Sequence, residues 1–258
     1  MLQFNEDTAR VLEDAYQGAD VTRRRCASFN ALSPSPGDRL LDLGCGNGLL
    51  TLDLSRAVGD TGHVLGLDPS PDMLDLARAR CTDRGNVTFL EGHAEALPCD
   101  ENSLDGAVSL QVFEYFHDMR PPLAELFRAL KPGGRLVIGD MHFDTLTWHC
   151  DQPERMAEMC RIWDRHLACR DVPARLPALL AEVGFRTVST TPLAFCDTQL
   201  RPDGLAAMMI RLMTAYAIQT DAMPEPEARS WAQEQQELAR AGRFFFSLTH
   251  FVCHAQKP

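Results

Sequence analysis

The chain has 258 residues, enough for one large α/β domain and enough to bury a core without disulfide or metal staples. With 45% apolar and 24% charged residues, and with Gly and Pro spread along its length, it excludes disordered and collagen-like structure. Its 25 basic against 36 acidic residues give a net charge of −11, which argues against a nucleic acid or an anionic membrane as partner.

The single basic run, Arg23-Arg24-Arg25, is too short to reverse that balance. The start, Met1 to Asp7, has no signal-peptide pattern, and an odd count of 9 cysteines then reads as reduced thiols in a soluble, cytoplasmic protein. The longest apolar stretch, Gly204 to Thr220, carries Arg211 in its middle and is not expected to span a bilayer.

In chain order, a helix is predicted from Asn5 to Leu32, with Val11, Leu12, Tyr16, Cys26, Phe29 and Leu32 as its apolar positions. Ser33 to Asp38 breaks the chain before a strand, Arg39 to Leu43. A helix over Leu49 to Val58 and a strand over His63 to Leu67 follow. Ser70 caps the next helix, with Pro71 in its first turn and Gly85 as its end. Strands are expected over Asn86 to Leu90 and Ser103 to Leu110, a helix over Met119 to Leu130, and a strand over Arg135 to Asp140. Such alternation implies βαβ units and a mostly parallel sheet covered on both faces.

The second half is less regular. Helices are expected over Pro153 to Leu167, Pro173 to Val183, Pro202 to Ile218 and Glu225 to Ala241, with strands over Phe185 to Phe195 and Phe244 to Cys253. The extra helices are too few for a core of their own and are expected to cover the functional edge of the sheet. The reading is a single domain over 1–258: an N-terminal cap over 1–37, a core over 38–145, helical lid insertions over 146–172 and 196–242, and remaining sheet elements over 173–195 and 243–258.

Leu41-Asp42-Leu43-Gly44-Cys45-Gly46-Asn47-Gly48 follows the first strand and opens a helix. Glycines there let backbone amides approach a ligand closely. One helix and one strand later, Asp68 in Gly66-Leu67-Asp68-Pro69-Ser70 is placed to accept hydrogen bonds from ribose hydroxyls. A dinucleotide fingerprint would need glycine where Leu49 stands and an apolar residue where Asp42 stands. Asp42 suits the cationic end of a ligand, such as an amino-acid ammonium. A tight turn with no ligand is the plain alternative.

These residues resemble the class I S-adenosylmethionine-dependent methyltransferases, particularly the ubiquinone/menaquinone-type small-molecule branch. The resemblance rests on Leu41 to Gly48, Asp68, Glu91 to Pro98, Phe127 to Leu136 and Ala181 to Phe185. It implies an α/β fold, a Rossmann-like doubly wound seven-stranded sheet whose last strand is antiparallel, with helical lid insertions. It implies S-adenosyl-L-methionine as cofactor and a small-molecule methyl acceptor. By that resemblance Asp42, Gly44, Cys45 and Gly46 hold the methionine part and Asp68, with Pro69 and Met73 beside it, the ribose. His93, Ala94 and Glu95 meet the adenine, and Ser109, Leu110 and Gln111 line the methionine side. The family usually has Asp where His93 stands. A neutral imidazole can also accept a hydrogen bond, whereas imidazolium cannot, so cofactor affinity is expected to weaken at low pH. Affinity independent of pH would count against this.

Methyl transfer from a sulfonium is an in-line displacement, and a base is needed only if the nucleophile has a proton to lose. His117 and His142 follow the fourth and fifth strands and are the candidate bases, polar loop packing being the plain alternative. Tyr16 and Arg24 are candidates for an aromatic lid and a carboxylate-binding cation, against a solvated basic helix face. Tyr115, Trp148, Met209 and Met213 are candidates for an apolar acceptor wall, against plain packing. Cys150, Cys160 and Cys169 show no metal-ligand spacing, so no metal is expected and an arsenite methyltransferase is a lesser reading. The rivals are a silent cofactor-binding sensor of the same fold and, third, a nicotinamide oxidoreductase. A homodimer is left open.

Overall fold

A computed structural model describes residues 17–258. Helix α1 (Ala19–Leu32) leads into β1 (Arg39–Leu43), α2 (Leu49–Val58), β2 (His63–Asp68), α3 (Pro71–Arg80), β3 (Val87–Glu91) and β4 (Leu104–Leu110). A 3₁₀ turn (Phe113–Tyr115), α4 (Arg120–Ala129), β5 (Leu130–Trp148), α5 (Pro153–Asp164) and α6 (Val172–Val183) follow. The chain closes with β6 (Arg186–Asp197), α7 (Leu205–Gln219), α8 (Glu225–Arg240) and β7 (Phe246–Gln256).

The seven strands form one sheet in the order β3-β2-β1-β4-β5-β7-β6. The first five are parallel, and β7 runs antiparallel between β5 and β6. This is the doubly wound sheet with an antiparallel last strand that the resemblance implies. Strand order reverses between β1 and β4, and the crevice at their C-terminal ends is where such sheets bind ligands.

Alternate residues along each central strand serve opposite faces, which is why these strands read as continuous apolar runs. Leu40, Val108 and Val137 pack under α1 and α2, whereas Leu41, Ala107, Leu136 and Ile138 pack under α4 and α6. The helices of the second half gather an apolar cluster of their own with the far ends of β5 to β7. Met159, Met213, Trp231 and Phe246 sit at its centre. These helices share that cluster with the sheet, β5, β6 and β7 supplying Met141, Phe143, Phe195, Phe246 and Leu248 to it.

Several boundaries differ. Helix α3 stops at Arg80, where Cys81 donates its N–H to Ala77 O, and Gly85 lies in the turn beyond rather than at the helix end. Strand β5 does not stop at Asp140: β7 pairs with it as far as Trp148–Phe246, so His142 and Trp148 lie within a strand and not after one. The first half of the N-terminal helix predicted from Asn5, with Val11, Leu12 and Tyr16, lies outside the described residues. Within α1 the buried face is Asp20, Val21, Arg24, Ser28 and Leu32, while Cys26 is exposed. Among the described residues no helix is long and apolar enough to cross a membrane.

Candidate active site

A cavity of about 400 Å³ opens at the reversal point between β1 and β4. Its floor is the bend after β1. Gly44, Gly46 and Gly48 there have φ of +70°, +51° and +77°, values that glycine adopts without steric cost. At Gly44 a Cβ would come 2.2 Å from Val112 Cγ2, so that glycine is required by packing against the chain after β4. At Gly46 a Cβ would meet nothing within 4 Å, so the absent side chain leaves open space on the cavity wall.

Two carboxylates hold this bend. Asp68 at the end of β2 accepts from the Gly46 N–H at 2.8 Å with one oxygen and from the Ser70 N–H at 2.9 Å with the other. A carboxylate offers about four acceptor directions, so both oxygens keep capacity for ligand hydroxyls. Burial pushes the Asp68 carboxyl up, opposed by the Ser70 and Gly46 amides. Asp42 at the end of β1 is 2% exposed and accepts from Thr51 Oγ1 at 2.6 Å. Burial pushes its pKa up to about 7, against the Thr51 hydrogen bond and with a smaller push from the Asp68 charge. A buried carboxylate held by the Thr51 hydroxyl and backbone N–H, with no cation beside it among the described residues, suits a cationic ligand group.

The structure brings Arg24, Asp42, Gly44, Cys45, Gly46, Asp68, Pro69, Met73, His93, Ala94, Glu95, Leu110, Gln111 and Tyr115 together around this cavity. Ser109 is buried just behind it, its hydroxyl without a partner among the described residues. Arg24, far from lying on a solvated helix face, is 1% exposed and donates to Gln111 Oε1. Gln111 itself has φ +56°, a conformation rare outside glycine and concentrated at functional sites.

Other expected residues lie elsewhere. His117 is exposed and outside the cavity lining, and His142 sits in β5 with its ring 6.0 Å from that of Phe251. Met209 and Met213 pack inside the second-half cluster. Trp148 packs edge-on against Trp231 and Phe246, at 5.7 and 4.9 Å between ring centres. Tyr16 lies outside the described residues. No group of metal-ligating side chains occurs among the described residues.

Sequence reading missed the buried acids Glu114 and Asp140 beside Arg24, although a lone acid at the end of an apolar strand was there to be seen at Asp140. It also missed Thr51, Val21 and Arg25, which hold or line the site. His166 is buried against Trp163 and Tyr216, its ring centre 6.1 Å from that of Tyr115.

A family profile described as "Methyltransferase domain" matches residues 41–138, the segment from β1 to mid-β5. The chain is 31% identical to O-methyltransferase rstn1 of Aspergillus nomiae, over 63% of this chain and 70% of that protein. It is 39% identical to the demethylmenaquinone methyltransferase of Lactococcus lactis, over 47% of this chain and 49% of that protein. The chain spans from about half to about two thirds of the length of the first curated relatives it matches. In fold it is similar to the phosphoethanolamine N-methyltransferase 2 of Haemonchus contortus, solved with S-adenosylhomocysteine, at a TM-score of 0.66 and 18% identity. That match covers 99% of this chain and 58% of the other. The glycine bend, the two acids that brace it and these likenesses agree: the chain belongs to the class I S-adenosylmethionine-dependent methyltransferases, and over about half its length it is similar to a demethylmenaquinone methyltransferase.

Proposed function

We propose that this protein transfers a methyl group from S-adenosyl-L-methionine to a small, apolar or aromatic metabolite by in-line displacement. The observation that carries the reading is the cavity at the β1/β4 reversal, with an open glycine at its floor and one buried acid at the end of each of the first two strands. S-adenosylmethionine supplies a methyl group already activated on a sulfonium.

The residues present fit that cofactor. Gly46 leaves space where a side chain would stand, the Asp68 oxygens retain lone pairs for ribose hydroxyls, and Asp42 is a buried acid in want of a cation. Asp42, Gly44, Cys45 and Gly46 would hold the methionine end, with Ser109, Leu110 and Gln111 along its side. Asp68, Pro69 and Met73 would hold the ribose, and His93, Ala94 and Glu95 the adenine. Fixing donor and acceptor in line supplies on the order of 7–11 kcal/mol of the barrier without acid–base help.

Tyr115 lines the cavity and is assigned to the acceptor side. The helical segments 146–172 and 196–242 are assigned as the cover of that side. In support, Asp20 on α1 accepts from Arg201 Nη2 at 2.8 Å and from the Leu205 N–H at 2.9 Å, tying the cavity-lining helix to the start of α7. Trp148, Met209 and Met213 then shape the acceptor space through the cover's packing. Where the nucleophile carries a proton, His142 and His117 are the candidates to remove it. Replacing each singly by alanine, with turnover lost and cofactor binding intact, would support that role.

The test is transfer of labelled methyl from S-adenosylmethionine to a panel of phenols, quinols, amines and thiols. The expected result is label in at least one acceptor class. No product anywhere, with S-adenosylhomocysteine still bound tightly, would contradict methyl transfer and favour a silent cofactor-binding protein.

A further inference from the structure

The helical cover is fastened at two points to elements that line the donor cavity. Helix α1 gives Val21, Arg24 and Arg25 to the cavity wall, and the chain after β4 gives Tyr115 and Phe116. The same two stretches hold the cover. At the start of α1 the Ala19 N–H donates to Asp203 O at 3.0 Å. Asp20 is 1% exposed, and one of its carboxylate oxygens accepts from both Arg201 Nη2 at 2.8 Å and the Leu205 N–H at 2.9 Å. Leu205 is the first residue of α7, so a side chain of α1 satisfies the open N-terminus of a helix far along the chain. The Arg23 guanidinium, three residues on, lies 5.2 Å from the centre of the Phe195 ring. At the second fastening Glu114 O, in the turn after β4, accepts from the Ala168 and Cys169 N–H groups at 2.9 and 3.0 Å, just beyond α5.

The piece of chain that meets Asp20 is stiff. The buried Asp197 carboxylate accepts from the Gln199, Leu200 and Arg201 N–H groups, each at 2.9 Å, and Arg201 Nε lies 3.7 Å from the same side chain. A Cβ on Gly204 would come 2.9 Å from Asp197 Oδ2, so the bracket closes tightly before α7 begins. A shift of α1 therefore reaches α7 through one carboxylate rather than being lost in a slack loop. Arg201 is outside the cavity lining, and its guanidinium supplies the charged hydrogen bond to Asp20. Without it the buried carboxylate keeps the Leu205 amide and only the distant Arg23 Nη1, 3.8 Å from its other oxygen.

We propose, on the basis of the methyl-donor reading above, that Asp20 is a positioning residue that couples donor binding to closure of the acceptor cover. A donor seated against Val21 and its neighbours stabilises α1 in place. Asp20 then holds Arg201 and the first turn of α7, so local opening of the cover is suppressed. The coupling is reciprocal: loosening the Asp20–Arg201 pair weakens donor binding although Arg201 is not on the cavity wall.

The experiment measures amide hydrogen exchange of the full chain with and without S-adenosylhomocysteine, and calorimetric affinity for that ligand. The Leu205 amide is the direct reporter, because its N–H is the one Asp20 holds. Ligand should slow exchange there at least tenfold, and by more than in Arg186–Thr190 on the edge strand β6. Arg201→Met should abolish the extra slowing and lower affinity about 5- to 10-fold. Arg201→Lys keeps a cation beside Asp20 and should recover most of both. Asp20→Asn keeps an oxygen for the Leu205 N–H but no charge for Arg201, so it should behave as Arg201→Met does. The double variant should then be no weaker than either single one. Slowing at Leu205 that is absent, or no greater than on β6, would overturn the proposal, as would unchanged affinity in Arg201→Met. The exchange measurement on the unaltered protein decides the matter even if a variant does not fold. Failure of S-adenosylhomocysteine to bind at all would overturn the donor reading instead.

Discussion

Asp42 offers the sharpest test of how the site is built. Its carboxyl is buried at the end of β1 with a pKa of about 7, against an ordinary 3.8. Below about pH 4 the acid is protonated in folded and unfolded chains alike, and its contribution to stability is fully present. As pH rises the unfolded chain ionises freely while the folded one resists, so that contribution is lost through the folded pKa. Between about pH 5 and pH 8 the loss amounts to about 3 kcal/mol. Asp42→Asn is nearly isosteric, still accepts from the Thr51 hydroxyl and does not titrate. Urea unfolding of both proteins across this range should show the wild type losing about 3 kcal/mol relative to the variant as pH rises. Binding should run the other way, because the ligand ammonium favours the ionised acid. Affinity for S-adenosylhomocysteine should fall about 30-fold from pH 8 to pH 5.5 in the wild type, and much less in Asp42→Asn. A stability difference between the two proteins that does not change with pH would refute the assignment of a buried, proton-holding Asp42.

Four further outcomes are expected. Gly44→Ala forces a left-handed residue into Val112, at 2.2 Å, and should cost about 2–5 kcal/mol in denaturant unfolding. Gly46→Ala meets no protein atom and should cost only about 1–2 kcal/mol of stability, yet should weaken cofactor binding measured by calorimetry. Asp68→Asn places an amide donor against the Gly46 or Ser70 N–H and should reduce cofactor affinity at least tenfold, about 1.4 kcal/mol, in the same assay. Trp231→Ala empties a fully buried site in the second-half cluster and should cost about 3–5 kcal/mol by urea unfolding, with the Trp148 packing lost as well.

Much of the donor half was legible because its signals are local. A glycine bend, a capped helix such as Ser70-Pro71, and an acid at the end of a strand each follow from a few neighbouring residues. The parallel core strands showed as short apolar runs because both of their faces are covered. What escaped depends on distant pairing. The length of β5 is set by β7, about a hundred residues away, which turned an expected loop at His142 into a strand. The inner face of α1 is Asp20, Arg24 and Ser28, so hydrophobic periodicity pointed to the wrong side, at Cys26. Asp20 and Arg24 there make sense only against their distant partners Arg201 and Gln111. Likewise the methionine stripe on α7 is equally a core and a cavity wall until its neighbours are known. The structure places Met209 and Met213 in one apolar cluster with Trp163, Tyr216 and residues of the other cover helices.

The account stands most directly on one contact between ligand and acid. In a crystal structure with S-adenosylhomocysteine bound, both ribose hydroxyls should lie within hydrogen-bonding distance of the Asp68 carboxylate, with the ammonium against Asp42 and the carboxylate at Arg24. A nucleoside seated elsewhere, with Asp68 still occupied only by the Gly46 and Ser70 amides, would contradict it.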